Sequence, residues 1–332
     1  MKKNLSVKDL EVQFEKRNIK NTALTKISFD LHEKEIIAFV GESGSGKSTI
    51  ALSIMKLLDQ SAKVTNGQIF FNDEDILKKN EKEIRNIRGK QISIIFQDPL
   101  SSLNPTMKIG KQILEAIADN PSKSKVYELL KKVGIKDQDL RYDQYPHQIS
   151  GGMRQRIMIA IAIASNPKII IADEPTTSLD PFYQLQILDL LKKINEENST
   201  SIIFISHDLS LVSNIASRIY IMYSGEIIEN STTENILSSP KHPYTKLLID
   251  SIPKIDEERK QLPQEISTNN LIEKQNLCLF YERCPQKKEV CSKAYPLNIQ
   301  SENDHFVACH LYKKKIKLDL KKWMKDSSEL KI

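Results

Sequence analysis

The chain of 332 residues is long enough for two domains with cores of their own, and with 39% hydrophobic and 28% charged residues it has the balance of an ordinary globular protein, which excludes disordered and fibrous classes. Its formal charge of +6 comes from basic residues interspersed with acids, a pattern that argues against a nucleic-acid-binding stripe. The longest nearly uncharged apolar run, residues 157–164, is far shorter than the ~20 residues of a membrane-crossing helix, and no apolar segment of a secretory signal follows Lys2-Lys3, so the cytoplasm is the expected compartment.

Residues 5–40 predict short alternating strands, Leu10-Glu11-Val12-Gln13-Phe14 and Lys26-Ile27-Ser28-Phe29-Asp30-Leu31, ahead of the apolar run Ile36-Ile37-Ala38-Phe39-Val40, which reads as a buried strand. Phe14 is a candidate to stack on a nucleotide base, or an ordinary aromatic on a sheet face. Next comes Gly41-Glu42-Ser43-Gly44-Ser45-Gly46-Lys47-Ser48-Thr49, which matches the phosphate-loop pattern G-x-x-x-x-G-K-[ST] at every constrained position. Helical spacing of Ile50, Ala51, Ile54, Met55, Leu57 and Leu58 over residues 48–58 completes the strand, loop and helix order that the motif needs. Glycines let this backbone curl so that successive N–H groups point inward, and the helix N-terminus adds partial positive charge at the same point. A nucleoside triphosphate is the matching ligand. Lys47 is placed to reach the β- and γ-phosphates and the Ser48 hydroxyl to ligate Mg²⁺; the alternative is a glycine-rich turn that binds nothing.

Residues 68–71 and 91–96 read as strands with a charged helical stretch between them. Two prolines then mark residues 97–105 as a loop, and apolar residues at helical period, among them Ile109, Ile113, Ile117, Val126, Leu130 and Val133, follow over 108–135. We read a helical insert, about residues 98–152, between two halves of an α/β core. It ends at Ile149-Ser150-Gly151-Gly152-Met153, with Ser150 as N-cap of a helix reaching Ala164. An apolar strand then ends in Asp173-Glu174, another, residues 201–205, ends at Ser206-His207-Asp208, and residues 219–229 look like a closing hairpin around Ser224-Gly225. Sites at the carboxyl ends of alternating strands imply a doubly wound α/β fold. From about residue 236 prolines, polar residues and all four cysteines mark a separate accessory region. At the tail, Lys313-Lys314-Lys315 and Lys321-Lys322 flank Trp323 and read as a solvated helix or a contact with anionic lipid or a partner.

The ordered set Gly41 to Thr49, Gln97, Ile149 to Met153, Asp173-Glu174, Ser178-Leu179-Asp180 and His207 resembles the ATP-binding-cassette (ABC) ATPases. Phe96-Gln97-Asp98-Pro99-Leu100-Ser101-Ser102-Leu103-Asn104-Pro105 and His242-Pro243-Tyr244-Thr245 look like the oligopeptide, dipeptide and nickel importer ATPases in particular, as does the cysteine-bearing C-terminal region. Two departures stand out: the signature is Ile-Ser-Gly-Gly-Met where Leu-Ser-Gly-Gly-Gln is commonest, and Phe14 stands where many cassettes have tyrosine. Neither removes a phosphate ligand. The resemblance implies a P-loop NTPase (RecA-like) core with an antiparallel β subdomain and a helical insert. It divides the chain into an ATPase domain, residues 1–235, and an accessory region, residues 236–332.

It also implies roles. Mg²⁺ would lie between Ser48, Asp173 and the phosphates, with Gln97 counted among its contacts and as a γ-phosphate sensor that passes closure to a membrane subunit. Glu174 would act as general base or orient the attacking water, and His207 would hydrogen-bond the γ-phosphate. Ser43, Gly44, Ser45, Gly46 and Thr49 belong to the phosphate cradle. Ser150, Gly151 and Gly152 open a helix with free N–H groups, a second phosphate site that by resemblance serves ATP held by a second cassette, with Asp180 contacting across that interface. The implied assembly is a pair of cassettes, commonly two different ATPases, with two transmembrane permease subunits on the cytoplasmic face of the membrane and a solute-binding protein on the other side. Import of oligopeptides or dipeptides is the leading expectation; nickel import, or a soluble cassette acting on ribosomes or DNA, are the alternatives.

Cys278, Cys284, Cys291 and Cys309 form C-x5-C-x6-C-x17-C, with His305 and His310 around the fourth. Four soft ligands in a short cytoplasmic segment suggest a metal rather than disulfides, although the spacing is not that of a standard zinc finger. The resemblance favours a [4Fe–4S] cluster over Zn²⁺; unligated buried thiols are the remaining reading.

Overall fold

The computed structural model describes residues 2–16, 19–177, 179–252, 277–300 and 304–312. Ser178 and the lysine-rich tail around Trp323 lie outside them. Two long antiparallel strands, β1 (Lys3–Lys16) and β2 (Ile19–His32), precede the fully buried β3 (Ile36–Val40), which feeds the phosphate loop and α1 (Lys47–Ile54). After them come β4 (Ala62–Phe71), β5 (Glu74–Asp75), α2 (Glu81–Arg85) and β6 (Ile92–Ile95). The first sheet is β2-β1-β4-β5, antiparallel throughout.

A run of helices follows: α3 (Pro99–Ser102), α4 (Ile109–Ala116), α5 (Lys123–Lys132), α6 (Gln138–Asp143) and α7 (Gly151–Ile163). Ser122 starts α5 by accepting the Lys125 N–H, and Val126 and Leu130 turn its apolar face inward. Then come β7 (Ile169–Asp173), α8 (Pro181–Asn198), β8 (Ser201–Ser206), α9 (Leu209–Ser213), β9 (Arg218–Tyr223) and β10 (Glu226–Thr232). The last described elements are α10 (Thr233–Ser238), α11 (Pro243–Asp250), β11 (Asn298–Gln300) and β12 (Phe306–Ala308).

The second sheet runs β11-β12-β10-β9-β3-β8-β7-β6, parallel from β9 to β6 and antiparallel beyond. Its central strands read as unbroken apolar runs because both faces are covered. Ile36, Ala38 and Val40 of β3 join one core with α7, α8 and the helices of the insert, while Ile37 and Phe39 join a second with α1 and the antiparallel sheet. β7, β8 and β9 split in the same way, Ile170 and Ala172 against Ile169 and Ile171 on β7, for example. At period two, consecutive side chains of one strand serve opposite layers, so the parallel sheet is the partition between the two cores.

Several elements differ from their sequence reading. β1 and β2 continue past their alternating segments through charged residues whose backbones still pair, as Lys8 does with Gln68. The helix after the phosphate loop stops at Ile54, short of the predicted residue 58. There Lys56 takes a left-handed φ of 48°, and the Arg88 guanidinium donates to the Met55 and Lys56 carbonyls, both at 2.6 Å, satisfying the groups that a longer helix would pair. The hairpin of β9 and β10 does not close the sheet. β12 pairs on the free edge of β10, with Glu229 opposite Val307, and β11 pairs on β12. Residues after 236 also enter the first core, where Tyr244, Phe280, Cys278 and Cys291 are buried.

Candidate active site

β3 delivers the chain into the phosphate loop at Gly41, where a Cβ would meet the Met222 carbonyl oxygen of β9 at 2.2 Å, so only glycine lets the two backbones come this close. Gly46 holds φ +99° and is the N-cap of α1, with no side chain capping the helix. The first N–H groups of α1 therefore face the loop without a capping partner, which is the arrangement that receives phosphate oxygens. Gly225 of the β9–β10 turn donates to the Ser45 carbonyl at 3.0 Å and supports the loop from below. Ser43 is exposed, Ser45 is buried, and Thr49 is half-buried on the first turn of α1.

Lys47 is only 4% exposed, and its ammonium donates to the carbonyls of Gly41 at 2.7 Å and Glu42 at 2.9 Å. Burial pushes it below the ordinary lysine range, against the pull of Glu174, Asp173 and Glu42. Ser48 Oγ donates to Asp173 Oδ1 at 3.0 Å, bringing the end of β7 onto the loop. Burial raises the Asp173 carboxyl and Glu174 raises it further, while Ser48 and Lys47 act in the opposite sense. A hard divalent cation in contact with these oxygens would reverse the balance and hold Asp173 ionised, so the donor set fits Mg²⁺.

Glu174 follows in a left-handed conformation, φ +47°, its N–H bonded to the Ile205 carbonyl of β8 at 3.0 Å. Such a φ is strained for glutamate and aims the side chain away from the strand direction. Glu174 Oε2 accepts from Gln97 Nε2 at 2.9 Å and from Thr177 Oγ1 at 2.9 Å, and lies 3.4 Å from His207 Nδ1. Three strand ends thus converge: Gln97 after β6, Asp173 and Glu174 at β7, His207 after β8. Lys47, Ser48, Asp173, Glu174, Gln97 and His207, chosen from the sequence, form one connected cluster.

The other candidates lie elsewhere. Ser150 and Gly151 are exposed and Gly152 half-buried at the start of α7, where Ser150 Oγ accepts the Met153 N–H at 3.4 Å within its own helix. Asp180 is exposed before α8 and its carboxylate makes no capping bond. Phe14 is partly buried and packs against the second core. Glu42 and Tyr244 enter the sequence reading only as members of motifs, without roles, and Arg283 and Thr177 do not enter it. Arg283 grips both Glu42 carboxylate oxygens at 2.7 Å, and the Tyr244 hydroxyl accepts the Glu42 N–H at 3.0 Å. Glu42 is an unconstrained position of the motif, and no local signal connects it to residues some 200 positions away.

Among the described residues no group of three or more His, Cys, Asp or Glu side chains is arranged to hold a metal ion, so the iron–sulfur or zinc site expected at Cys278, Cys284, Cys291 and Cys309 lacks support. The neighbouring histidines are engaged otherwise. His305 Nε2 lies 2.6 Å from Glu229 Oε1 and His310 Nε2 2.8 Å from the Ala294 carbonyl. All four cysteines are free thiols, and burial pushes Cys278 up to about 11 and raises Cys284 and Cys309.

No helix among the described residues is long and apolar enough to cross a membrane. The ABC transporter family profile matches residues 24–177, and that of the oligopeptide/dipeptide transporter C-terminal region matches residues 228–291. The dipeptide transport ATP-binding protein DppD of Bacillus subtilis is 44% identical over 319 residues, spanning 94% of this chain and 95% of that protein. The oligopeptide transport ATP-binding protein OppD of the same organism is 47% identical over 259 residues, 76% of this chain and 72% of the other. In fold, the dimeric ATP-binding cassette MJ0796, solved in a post-hydrolysis state with ADP and Pi, superposes with a TM-score of 0.62 at 27% identity, covering 69% of this chain and 98% of that one. The phosphate loop, the converging strand ends and these matches agree, and the chain belongs to the ABC transporter ATPases, among the ATP-binding proteins of the oligopeptide/dipeptide transporter family.

Proposed function

We propose that this chain is the ATP-hydrolysing subunit of a peptide importer. It would work at the cytoplasmic face of the membrane with two permease subunits, a second and different cassette, and indirectly an external peptide-capture protein. The observation that carries the chemistry is the Glu174 carboxylate, held by Gln97, Thr177 and His207 beside the Asp173–Ser48 pair. Relatives named for dipeptide and oligopeptide transport favour peptide over nickel as cargo.

Nucleotide work is assigned to residues 1–235, with the insert 98–152, and residues 236–332 are accessory to it. Bound Mg²⁺ supplies charge neutralisation at the phosphates. Ser48 and Asp173 hold that ion, the free N–H groups at the start of α1 and the Lys47 ammonium bind the phosphate oxygens, and Phe14 lies against the base. Glu174 Oε2 takes a proton from the attacking water, with Gln97 and His207 fixing its direction. Ser150, Gly151 and Gly152 contribute to the site of the facing cassette and Asp180 contacts across the same interface. Exposure of that helix end in the single chain supports the division. The test is turnover against protein concentration, for the chain alone and with a partner cassette and the permease subunits. Weak activity alone, restored on assembly, is expected; full activity in a dilute monomeric sample overturns the paired-cassette reading.

A further inference from the structure

Glu42 is the second residue of the phosphate loop, and each of its polar groups is engaged. Its carbonyl accepts from Lys47, its N–H is taken by the buried Tyr244 hydroxyl, and its carboxylate is held at both oxygens by Arg283. Two of these three partners lie beyond residue 236. Arg283 is fixed in its turn, its guanidinium 5.8 Å from the centres of both the Tyr223 and Phe280 rings. Tyr223, Tyr244 and Phe280 pack edge to face with centroids 4.9–5.5 Å apart. A bidentate, planar ion pair sets direction as well as charge, and the aromatic wall behind it sets the position of the guanidinium.

The consequence is electrostatic. The Glu42 carboxylate is an anion built into a loop that must receive anionic phosphates, and its field acts on the Lys47 ammonium. Left unpaired it would repel the incoming phosphates and compete for Lys47. We infer that Arg283 and Tyr244 are positioning residues for the phosphate loop, and that through Glu42 the C-terminal segment sets the affinity of the site for nucleotide. Arg283 neutralises the misplaced charge and Tyr244 fixes the peptide that carries it. The inference rests on the nucleotide site proposed above, and it gives residues 277–312 a task in the ATPase beyond packing.

The experiment is a direct titration of MgADP into the purified full-length chain, with a melting curve for each variant. Arg283→Ala should weaken affinity by about tenfold, within the range usual for coupling between linked sites. Glu42→Gln in the Arg283→Ala background should restore most of it, because the unpaired charge is gone; a merely structural role for Arg283 predicts no such rescue. Tyr244→Phe should weaken binding by a few-fold. Lys47→Ala is the control. If it binds MgADP as the wild type does, the nucleotide-site reading itself fails; if it loses affinity while folded Arg283→Ala binds normally, only the positioning role is overturned. Should Arg283→Ala not fold, Arg283→Lys, which keeps a cation but loses the fork, carries the test: weakened binding supports the inference and wild-type binding overturns it.

Discussion

Two helix N-termini in this molecule are proposed above to meet phosphate, and they differ in what surrounds them. At α1 a left-handed glycine replaces a side-chain cap, a buried lysine lies against the loop, and a serine is bonded to the Asp173 carboxylate at the end of β7. At α7 the helix start stands exposed, and the Ser150 hydroxyl accepts the N–H of Met153. The first end is capped by glycine, so its N–H groups have no side-chain cap; the second is capped by its own serine. Small residues precede both helices, but a left-handed glycine caps one and a serine the other.

The largest effect is expected at Glu174, which stands beside the α1 end and its Asp173–Ser48 pair. Glu174→Gln should keep nucleotide binding and slow turnover of the assembled transporter by about 10²-fold or more, the usual worth of a positioned base. Near-normal turnover with intact folding would refute its role. Ser150→Arg probes the α7 end: charge and bulk there should cut the turnover of assembled cassettes by about 10²-fold, while leaving MgADP affinity of the isolated chain unchanged. A loss of affinity in the isolated chain would mean that α7 serves its own loop. For Lys47→Ala the direction reverses, with nucleotide affinity of the isolated chain falling by roughly 10- to 100-fold, the loss of hydrogen bonds to a charged group. The smallest effect is on stability. Gly46→Ala forces a Cβ onto φ +99°, 2.9 Å from the Ala23 carbonyl oxygen, and should destabilise the fold by ~1–3 kcal/mol in urea melts. Ser150→Ala, losing one long capping bond, should cost about 1 kcal/mol or less.

The α1 end was legible in the sequence because its constraints are local: a buried apolar run, a glycine pattern and a helix in that order. β3 and β7 were legible for a related reason, since burial on both faces leaves only isoleucine, valine, alanine and phenylalanine ahead of the terminal Asp173 of β7. β1 was only half legible, because Lys8 and Asp9 together separate Val7 from Leu10 and break its alternation at a register shift, while its backbone continues to pair on either side. Hidden altogether was the return of the C-terminal segment. β12 has three residues, and its partner on β10 lies some 76 positions earlier; Glu229, which receives His305 there, is as ordinary a glutamate as any in the sequence. The cysteines show the opposite failure. Their clustering suggested ligands, but spacing carries no geometry, and the two nearby histidines have a carboxylate and a carbonyl as partners.

The pairing of β12 on β10 also bears on how the molecule is made. Residues 306–308 leave the ribosome some 75 residues after β10, so the growing cassette carries an open strand edge for that interval, ready to pair with any other extended chain. Over the first part of that span the rings of Tyr223 and Tyr244 are likewise without Phe280, while the Glu229 carboxylate gains the Lys241 and His242 N–H groups long before His305 follows. A shortened protein ending after α11 would make that interval permanent, and aggregation during expression would add to the weakened nucleotide binding expected from the loss of Arg283.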